Sequence, residues 1–128
     1  ALNYAQQRTT FGKPISRHQA IGNYLADMAT KISAARLVVY KASWAKQNHY
    51  HSGGPRHTTE ASMAKLLAGD TAMWVSERAV QVLGGYGYTT DFPAERFFRD
   101  AKITQIYEGT QEVQRIVINR AISSKRSE

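Results

Sequence analysis

Apolar residues recur at alternating spacings of four and three in the first half of the chain. They are Ile21, Leu25, Met28, Ile32, Ala35 and Val39. This spacing places all six on one face of an α-helix, and no β-strand produces it. Ser16 and Gln19 have the spacing of a capping box, so the sequence predicts a long helix from about Arg17 to about His49. Such a helix must bury its apolar face against other elements, which favours a helical fold.

A second long helix is predicted after the loop at residues 51–55, which contains Gly53, Gly54 and Pro55 as helix breakers. It begins at about Thr59 and ends at the Gly84-Gly85 pair. Its apolar positions are Met63, Leu66, Leu67, Ala72, Met73, Val75, Ala79, Val82 and Leu83. Two long helices cannot bury broad apolar faces against each other alone, so we expect a further long partner. Residues 1–8 are typical of the last turns of such a helix.

Two shorter helices complete the predicted architecture. One begins at Phe92 or Pro93, where Asp91 can accept from the free backbone N–H groups. The other begins near Thr110 and is expected to bury Val113, Ile116 and Val117. Because no useful length of sequence alternates with the period of a strand, we predict an all-α, up-and-down helical bundle.

Composition narrows the functional classes. The chain has 128 residues, is 42% hydrophobic and contains no cysteine, which fits one domain with a core and no disulfide framework. No apolar run approaches the roughly 20 residues of a membrane helix, and no secretory signal is visible. We therefore expect no membrane association and a location in the cytoplasm or an organelle matrix.

Charge gives a weak indication of partners. The formal net charge is +7, from 17 Lys and Arg against 10 Asp and Glu. A basic chain can bind nucleic acid or small polyanions such as dinucleotide and CoA phosphates. The basic residues are scattered apart from the tail at 123–126, so nucleic-acid binding is not expected.

Three histidines, His49, His51 and His57, surround the glycine-rich loop. Their spacing fits no helical pair of metal ligands, and no nearby acid or cysteine completes a set. The sequence predicts exposed histidines and no metal site. Trp44 and Trp74 are interpreted as core or subunit-interface residues.

One carboxylate, Glu108, stands just before a predicted helix, in the segment 106–111 (IYEGTQ). Gly109 and Thr110 are typical of a tight turn that opens a helix, so Glu108 is expected beside free backbone N–H groups. Taken alone, Glu108 fits two roles: an acidic partner of the helix dipole, or a catalytic base.

Ordered motifs along the chain favour the second role. They are 8–15 (RTTFGKPI), 81–88 (QVLGGYGY), 92–96 (FPAER), 99–103 (RDAKI), 106–111 (IYEGTQ) and 112–120 (EVQRIVINR). In this order they resemble the C-terminal domain of the acyl-CoA dehydrogenases, flavoproteins that desaturate acyl-CoA thioesters. The closest likeness in motif is to short-, medium- or branched-chain members. The resemblance implies that residues 1–128 form this domain, a four-helix bundle with its first helix largely truncated and without the N-terminal helical and middle β-domains.

The resemblance also implies roles for individual residues. Glu108 matches the base that removes the proton from the carbon next to the thioester carbonyl, while a hydride leaves the next carbon for FAD. Positions that match FAD contacts are Arg8, Thr10, Phe11, Gln19, Gln81, Gly84, Gly85, Thr110 and Glu112. Of these, Arg8 and the Gly84-Gly85 loop would reach the FAD of a neighbouring subunit. Glu112 departs from the glutamine often found at its position.

Substrate contacts and partners follow in the same way. Tyr107 would line the acyl cavity, Gly109 would lie beside the thioester, and Arg120 would lie near the CoA end. The resemblance implies an acyl-CoA substrate, a dimer or homotetramer, a place in fatty acid β-oxidation, and an electron-transfer flavoprotein as acceptor. The location would be the bacterial cytoplasm or the mitochondrial matrix.

Four charged residues before Glu108 are interpreted as a structural salt-bridge network: Glu95, Arg96, Arg99 and Asp100.

Two alternatives from other classes remain open. The first is a noncatalytic helical oligomerisation module, since the same helices would form subunit contacts. The second is a basic helical protein that binds nucleic acid, whose affinity would depend steeply on salt.

Overall fold

A computed structural model describes residues 1–54 and 56–124 of the chain. Within them the elements follow in the order α1 (Leu2–Gln7), β1 (Thr9–Thr10), β2 (Lys13–Pro14), α2 (Gln19–Ser52), α3 (Thr58–Leu83), α4 (Gly85–Tyr88), α5 (Ala94–Ile103) and α6 (Gln111–Ser124). The prediction of an all-α fold is confirmed. Pro55 of the predicted loop and Lys125 and Arg126 of the basic tail lie outside the described residues. No helix in the described part is both long enough and apolar enough to span a membrane.

The two long helices, α2 and α3, form an antiparallel hairpin. Near one end, the Arg78 guanidinium lies 5.3 Å from the ring centre of Tyr24, and at the other end the rings of His49 and His57 are 5.6 Å apart. Residues early in α2 therefore contact residues late in α3. The predicted helix boundaries agree with the structure to within three residues.

The centre of the bundle is α3, which packs against α2, α5 and α6. Many of its buried residues are small, namely Ser62, Ala64, Gly69, Thr71 and Ser76. Small side chains let neighbouring backbones approach closely, so three helices can share one central helix. The buried residues of α2 are also small or flexible and recur every seven positions: Met28, Ala35 and Ala42.

Parts of the predicted apolar faces are not covered. Ile32 and Val39 of α2 are each 38% exposed. The prediction for α6 was wrong, because Val113 and Ile116 are 45% and 50% exposed, while Val117 is half-buried. Instead α6 buries polar side chains, for which α3 and the preceding loop supply hydrogen-bond partners.

The predicted side-chain caps do not form. The N-cap of α2 is His18, and Ser16 lies in a short 3-10 turn, Ile15–Arg17, so the capping box with Gln19 was wrong. Asp91 accepts a hydrogen bond from the Thr89 hydroxyl at 3.0 Å rather than capping α5. Both helices begin about two residues later than the sequence suggested, which removes these side chains from the cap position.

Candidate functional site

Glu108 is presented by a turn with an unusual backbone. Its φ is +54°, and that of Gly109 is +90°, so two consecutive residues adopt the left-handed region. A non-glycine residue there carries a steric cost that the surrounding structure must offset. The turn is closed by the backbone N–H of Gln111, which donates to the carbonyl oxygen of Gln105 at 3.1 Å.

The carboxylate of Glu108 does not cap α6. The Thr110 hydroxyl accepts a hydrogen bond from the backbone N–H of Val113 at 3.4 Å. The pKa of Glu112 lies below its ordinary value, first because of its own backbone N–H and then because of the Thr110 hydroxyl. Thr110 and Glu112 therefore serve the start of α6. Within residues 1–54 and 56–124, the Glu108 carboxylate makes no hydrogen bond or ion pair, and the residue is exposed.

Three polar side chains fasten the Glu108 turn to α3. Asp70 Oδ1 accepts hydrogen bonds from Gln105 Nε2 at 2.8 Å and from Gln111 Nε2 at 2.9 Å. Gln111, which is only 4% exposed, also donates to the Leu66 carbonyl oxygen at 2.9 Å. Because Gln105 precedes Glu108 and Gln111 follows it, one carboxylate holds both ends of the turn.

Several predicted cofactor residues meet in one groove at the end of the bundle. Arg8, Thr10, Gln81, Gly84 and Gly85 all line it, and its volume is about 590 Å³. Its lining also includes the apolar residues Ile15, Val82 and Leu83 and the acidic residue Asp91. We take it as the candidate cofactor groove.

A small core holds the elements of this groove together. Ala5 of α1, Ile15 of the 3-10 turn and Val82 of α3 are all buried in one cluster. The ribbon β1–β2 is fixed by His18, whose Nε2 lies 3.1 Å from the Thr10 carbonyl oxygen and 3.0 Å from the Thr10 hydroxyl. The Thr10 side chain is thereby held at the groove.

The groove has the chemistry to hold the phosphates of a dinucleotide such as FAD. The Arg8 guanidinium can bind phosphate oxygens bidentately and keeps its charge. Gly84 has a φ of +60°, and a Cβ at Gly84 or Gly85 would meet no atom within 4 Å, so the space beside this backbone is open to a ligand. The residues present therefore fit the implied cofactor.

Two predicted cofactor residues lie away from the groove lining. Phe11 is at the tip of the β-ribbon and 97% exposed, with a φ of +50°. Gln19 is the first residue of α2, and it is exposed. Neither side chain lines the groove with the other cofactor candidates.

Thr110 and Glu112 line a separate cleft. Its volume is about 310 Å³, and Asp70, Gln105 and Arg115 are also in its wall. The two groups of predicted cofactor contacts therefore occupy different surfaces, which share no lining residue.

An apolar cleft of about 1080 Å³ lies between α3 and α5, and its lining extends to Ile106, two residues before Glu108. Its apolar wall comprises Met73, Val80, Phe98, Ile103 and Ile106. Tyr107, which the sequence predicts to line an acyl cavity, is 52% exposed and does not line this cleft, whereas its neighbour Ile106 does. Arg120 is exposed on α6, outside all three clefts.

Two other expectations change. The sequence predicted a salt-bridge network of Glu95, Arg96, Arg99 and Asp100. Within the described residues, only Glu95 and Arg99 of these four form an ion pair, with 3.7 Å between Glu95 Oε2 and Arg99 Nη2. The prediction of exposed histidines holds only for His51, since His49 and His57 are half-buried. In the described part of the chain, no group of three or more His, Cys, Asp or Glu residues could hold a metal ion.

Sequence reasoning missed the residues that support the site. Asp70, Gln105, Gln111 and Gln114 were not singled out, nor was His18 as the partner of Thr10. The sequence carried one usable sign, because Asp70 interrupts the apolar pattern of α3. A charged residue amid an apolar pattern needs a partner when it is packed against neighbours.

Comparisons with known proteins identify the family. Residues 1–123 match the family model described as the acyl-CoA dehydrogenase C-terminal domain. The chain is 50% identical over 121 residues to cyclohexane-1-carbonyl-CoA dehydrogenase of Geobacter metallireducens, covering 94% of this chain and 30% of that protein. It is 48% identical over 118 residues to the mitochondrial short-chain specific acyl-CoA dehydrogenase of Homo sapiens, covering 92% and 27%.

A solved structure gives the same result. Butyryl-CoA dehydrogenase from Megasphaera elsdenii superposes with a TM-score of 0.88 at 50% identity, covering 94% of this chain and 30% of that chain. The chain thus spans about 30% of the length of these relatives. It belongs to the acyl-CoA dehydrogenase family and corresponds to the C-terminal domain of its members.

Proposed function

We propose that the chain is the C-terminal domain of an FAD-dependent acyl-CoA dehydrogenase and that Glu108 is its catalytic base. The observation that carries the proposal is the turn at Glu108 and Gly109, which presents an exposed carboxylate two residues after Ile106, a residue of the apolar cleft's wall. A base needs a free lone pair and a defined position: the Glu108 carboxylate has no partner within the described residues, and the closed turn defines the position of its backbone. An N-terminal helical domain and a middle β-domain would come from residues outside this chain.

In the proposed reaction, Glu108 accepts the proton from the α-carbon of an acyl-CoA thioester. The electron pair of that C–H bond becomes the second bond between the α- and β-carbons as a hydride leaves the β-carbon. Bound FAD supplies the acceptor for that hydride. The apolar side chains of the α3–α5 cleft would exclude water from the carboxylate, which makes a carboxylate a stronger base.

The remaining contacts divide between two sites. We assign Arg8, Gln81, Gly84 and Gly85 to the phosphate portion of FAD, with Thr10 held beside them by His18. Thr110 and Glu112 would face a second FAD from the surface near Glu108. Since one chain offers both surfaces, the proposal requires self-association, as a dimer or tetramer, with each cofactor between two subunits.

The other assignments rest on the family resemblance and on the names of relatives. Those names include short-chain and cyclic acyl-CoA substrates, so we propose a short or branched acyl-CoA with Gly109 beside the thioester and Arg120 near the CoA end. Electron-transfer flavoprotein would take the electrons. The proposed location is the bacterial cytoplasm or the mitochondrial matrix.

Replacing Glu108 by Gln in the full-length protein tests the proposal. Gln keeps the shape of the side chain but cannot accept the proton, so flavin bleaching by acyl-CoA should fall by several orders of magnitude. FAD content and acyl-CoA binding should change little. Glu108→Asp should keep part of the activity, because its carboxylate is withdrawn by one methylene group.

The control is Glu60→Gln in the first turn of α3, which should bleach at the rate of the unchanged enzyme. Rapid mixing gives the bleaching rate, and a thermal melt gives the stability of each variant. Normal bleaching by Glu108→Gln would refute the catalytic role.

A second candidate function is a noncatalytic oligomerisation module. It is favoured by the stripe of Leu37, Tyr40 and Trp44 on α2, which are 62% to 67% exposed. Flavin absorbance of the purified full-length protein separates the two functions, because only the enzyme needs FAD.

A further inference from the structure

The turn that carries Glu108 has two carbonyl oxygens that face one side chain of α6. Gln114 Nε2 donates to the Gly109 carbonyl oxygen at 3.1 Å and to the Glu108 carbonyl oxygen at 3.3 Å. Within residues 1–54 and 56–124, the carbonyl oxygens of Glu108 and Gly109 accept no other hydrogen bond. A primary amide has two N–H groups, so one Gln satisfies both oxygens.

The backbone conformation makes this arrangement necessary. Positive φ angles at Glu108 and Gly109 turn both carbonyl groups away from the regular pattern of a helix or strand. Carbonyl groups turned out of the regular pattern have no backbone donor here, and beside the nearly buried Gln114 side chain that amide is the donor they meet. Gln114 is only 9% exposed and lies in the first turn of α6, where its position is fixed.

Gly109 is matched to the same amide. A Cβ at Gly109 would lie 2.7 Å from Gln114 Nε2, closer than real contacts allow. The absence of a side chain at Gly109 thus lets the Gln114 amide approach the turn. The position of α6 is set in turn by Gln111, which is hydrogen-bonded to α3.

We propose that Gln114 is a positioning residue for the base, and that its two hydrogen bonds set where the Glu108 carboxylate stands relative to the substrate. The inference rests on the proposed function, since it acts through Glu108. Gln114 touches neither substrate nor cofactor in this role. Gln105, Gln111 and Asp70 hold the two ends of the turn, whereas Gln114 binds the carbonyl groups of Glu108 and Gly109 themselves.

Side-chain chemistry defines the useful variants. Gln114→Met keeps the length and bulk of the side chain but has no donor. Gln114→Asn keeps the amide and withdraws it by one carbon–carbon bond, about 1.5 Å. The matched control is Gln47→Met, which makes the same exchange at an exposed residue of α2.

The experiment measures flavin reduction in the full-length, FAD-loaded enzyme by rapid mixing over a range of acyl-CoA concentrations. The limiting rate per bound flavin should fall about 10- to 100-fold in Gln114→Met, because a shift of about 1 Å in a catalytic group has effects of that order. Gln114→Asn should fall between Met and the unchanged enzyme. The acyl-CoA concentration for half-maximal rate should change little, and Gln47→Met should react normally.

A purely structural role would give a different pattern. It would lower the melting temperature and the flavin content but leave the limiting rate per bound flavin unchanged, which would overturn the proposal. Even if Gln114→Met fails to bind FAD, a normal limiting rate in Gln114→Asn is enough to overturn it. Glu108→Gln is measured in parallel: if it reacts normally, the proposed function fails, whereas a slow Glu108→Gln with normal Gln114 variants refutes this inference alone.

Discussion

Gly69 in α3 lies so close to Gln111 in α6 that a Cβ on Gly69 would stand 3.0 Å from Gln111 Nε2. The same Cβ would stand 3.1 Å from the Thr104 carbonyl oxygen, at the start of the turn. Gly69 is followed directly by Asp70, whose carboxylate accepts hydrogen bonds from Gln105 and Gln111. Two successive residues of α3 therefore fix the same turn: Gly69 by close packing and Asp70 by hydrogen bonding.

Replacing Gly69 by Ala should lower the stability of the protein. Ala normally stabilises a helix interior by roughly 0.5 to 1 kcal/mol relative to Gly, but here the methyl group must push the turn and α6 outward. Overpacking of this kind costs about 1 to 3 kcal/mol, so the net effect should be a lower melting temperature. Flavin reduction should also slow, because the turn carries Glu108.

Gly22→Ala in α2 is the matched control for Gly69→Ala. A Cβ at Gly22 would lie 3.6 Å from the Ser16 carbonyl oxygen, which is an ordinary contact. Gly22→Ala should therefore raise the melting temperature or leave it unchanged. Equal melting temperatures for the two variants would contradict the close fit of Gly69 against the turn.

The sequence predicted the helical fold because the helical spacing of apolar residues depends only on residues that are close together in the sequence. It located α2 and α3 to within three residues, yet it misjudged α6, where Gln111 and Gln114 are buried and Val113 and Ile116 are exposed. Burial of a glutamine depends on partners such as Asp70 and the Glu108 carbonyl oxygen, which stand elsewhere in the chain. Periodicity contains no information about these partners.

For the same reason, the sequence predicted only some of the residues that form the candidate site. Arg8, Gln81 and Gly84 meet in one groove, as expected if they share a ligand. Phe11 does not join them, because the turn of the β-ribbon directs it to solvent with a positive φ. Residues that hold others in place, such as His18, have no sequence motif of their own and become visible only through their contacts.

The ionised form of Glu112 should stabilise the start of α6. Its pKa is lowered, chiefly by its own backbone N–H and next by the Thr110 hydroxyl. A carboxyl group whose pKa falls on folding contributes stability that is present above the unfolded pKa and is lost as the pH falls through the folded pKa. Glu112→Gln should therefore melt below the unchanged protein at neutral pH, and the difference should disappear in acid.

Thermal melts of Glu112→Gln and of the unchanged protein, from neutral pH into acid, provide the measurement. Thr110→Val removes the second-largest cause and should raise the pKa of Glu112 part of the way toward its ordinary value. A difference in melting temperature that grows as the pH falls would have the wrong sign and would contradict the assignment.

Arg8 should contribute to FAD affinity in the full-length protein. Arg8→Ala is expected to weaken FAD by roughly 1.5 to 3 kcal/mol, the scale of a hydrogen bond to a charged group. Arg8→Lys should recover only part of this loss, because an ammonium group cannot fork across two phosphate oxygens. Arg17→Ala is a suitable control, since Arg17 is exposed in the 3-10 turn and does not line the cofactor groove.

Removal of the flavin followed by titration with FAD measures these affinities. If Arg8→Ala, Arg8→Lys and the unchanged protein bind FAD equally, Arg8 is a solvated residue at the end of α1. A loss that is equally large for Arg17→Ala would indicate general electrostatic attraction, which the two positively charged residues would share.

The 128-residue chain should associate through its uncovered apolar stripe and carry no flavin when purified alone. Leu37, Tyr40 and Trp44 follow one face of α2 at spacings of three and four and are 62% to 67% exposed. Exposed apolar stripes of this kind mark contacts with other chains. The chain should be helical and inactive, because the proposed enzyme also needs the N-terminal helical and middle β-domains, whose residues lie outside this chain.

A sizing column run with excess FAD, monitored at flavin wavelengths, tests this expectation. The unchanged chain should elute as an oligomer without flavin absorbance. The double variant Leu37→Gln with Trp44→Gln should elute at a lower mass, because it removes two large apolar side chains from the contact surface. Lys41→Gln, at an exposed position of α2 between them, is the control and should behave like the unchanged chain. A monomer that carries one flavin per chain would contradict both the association and the proposed division of the cofactor site between subunits.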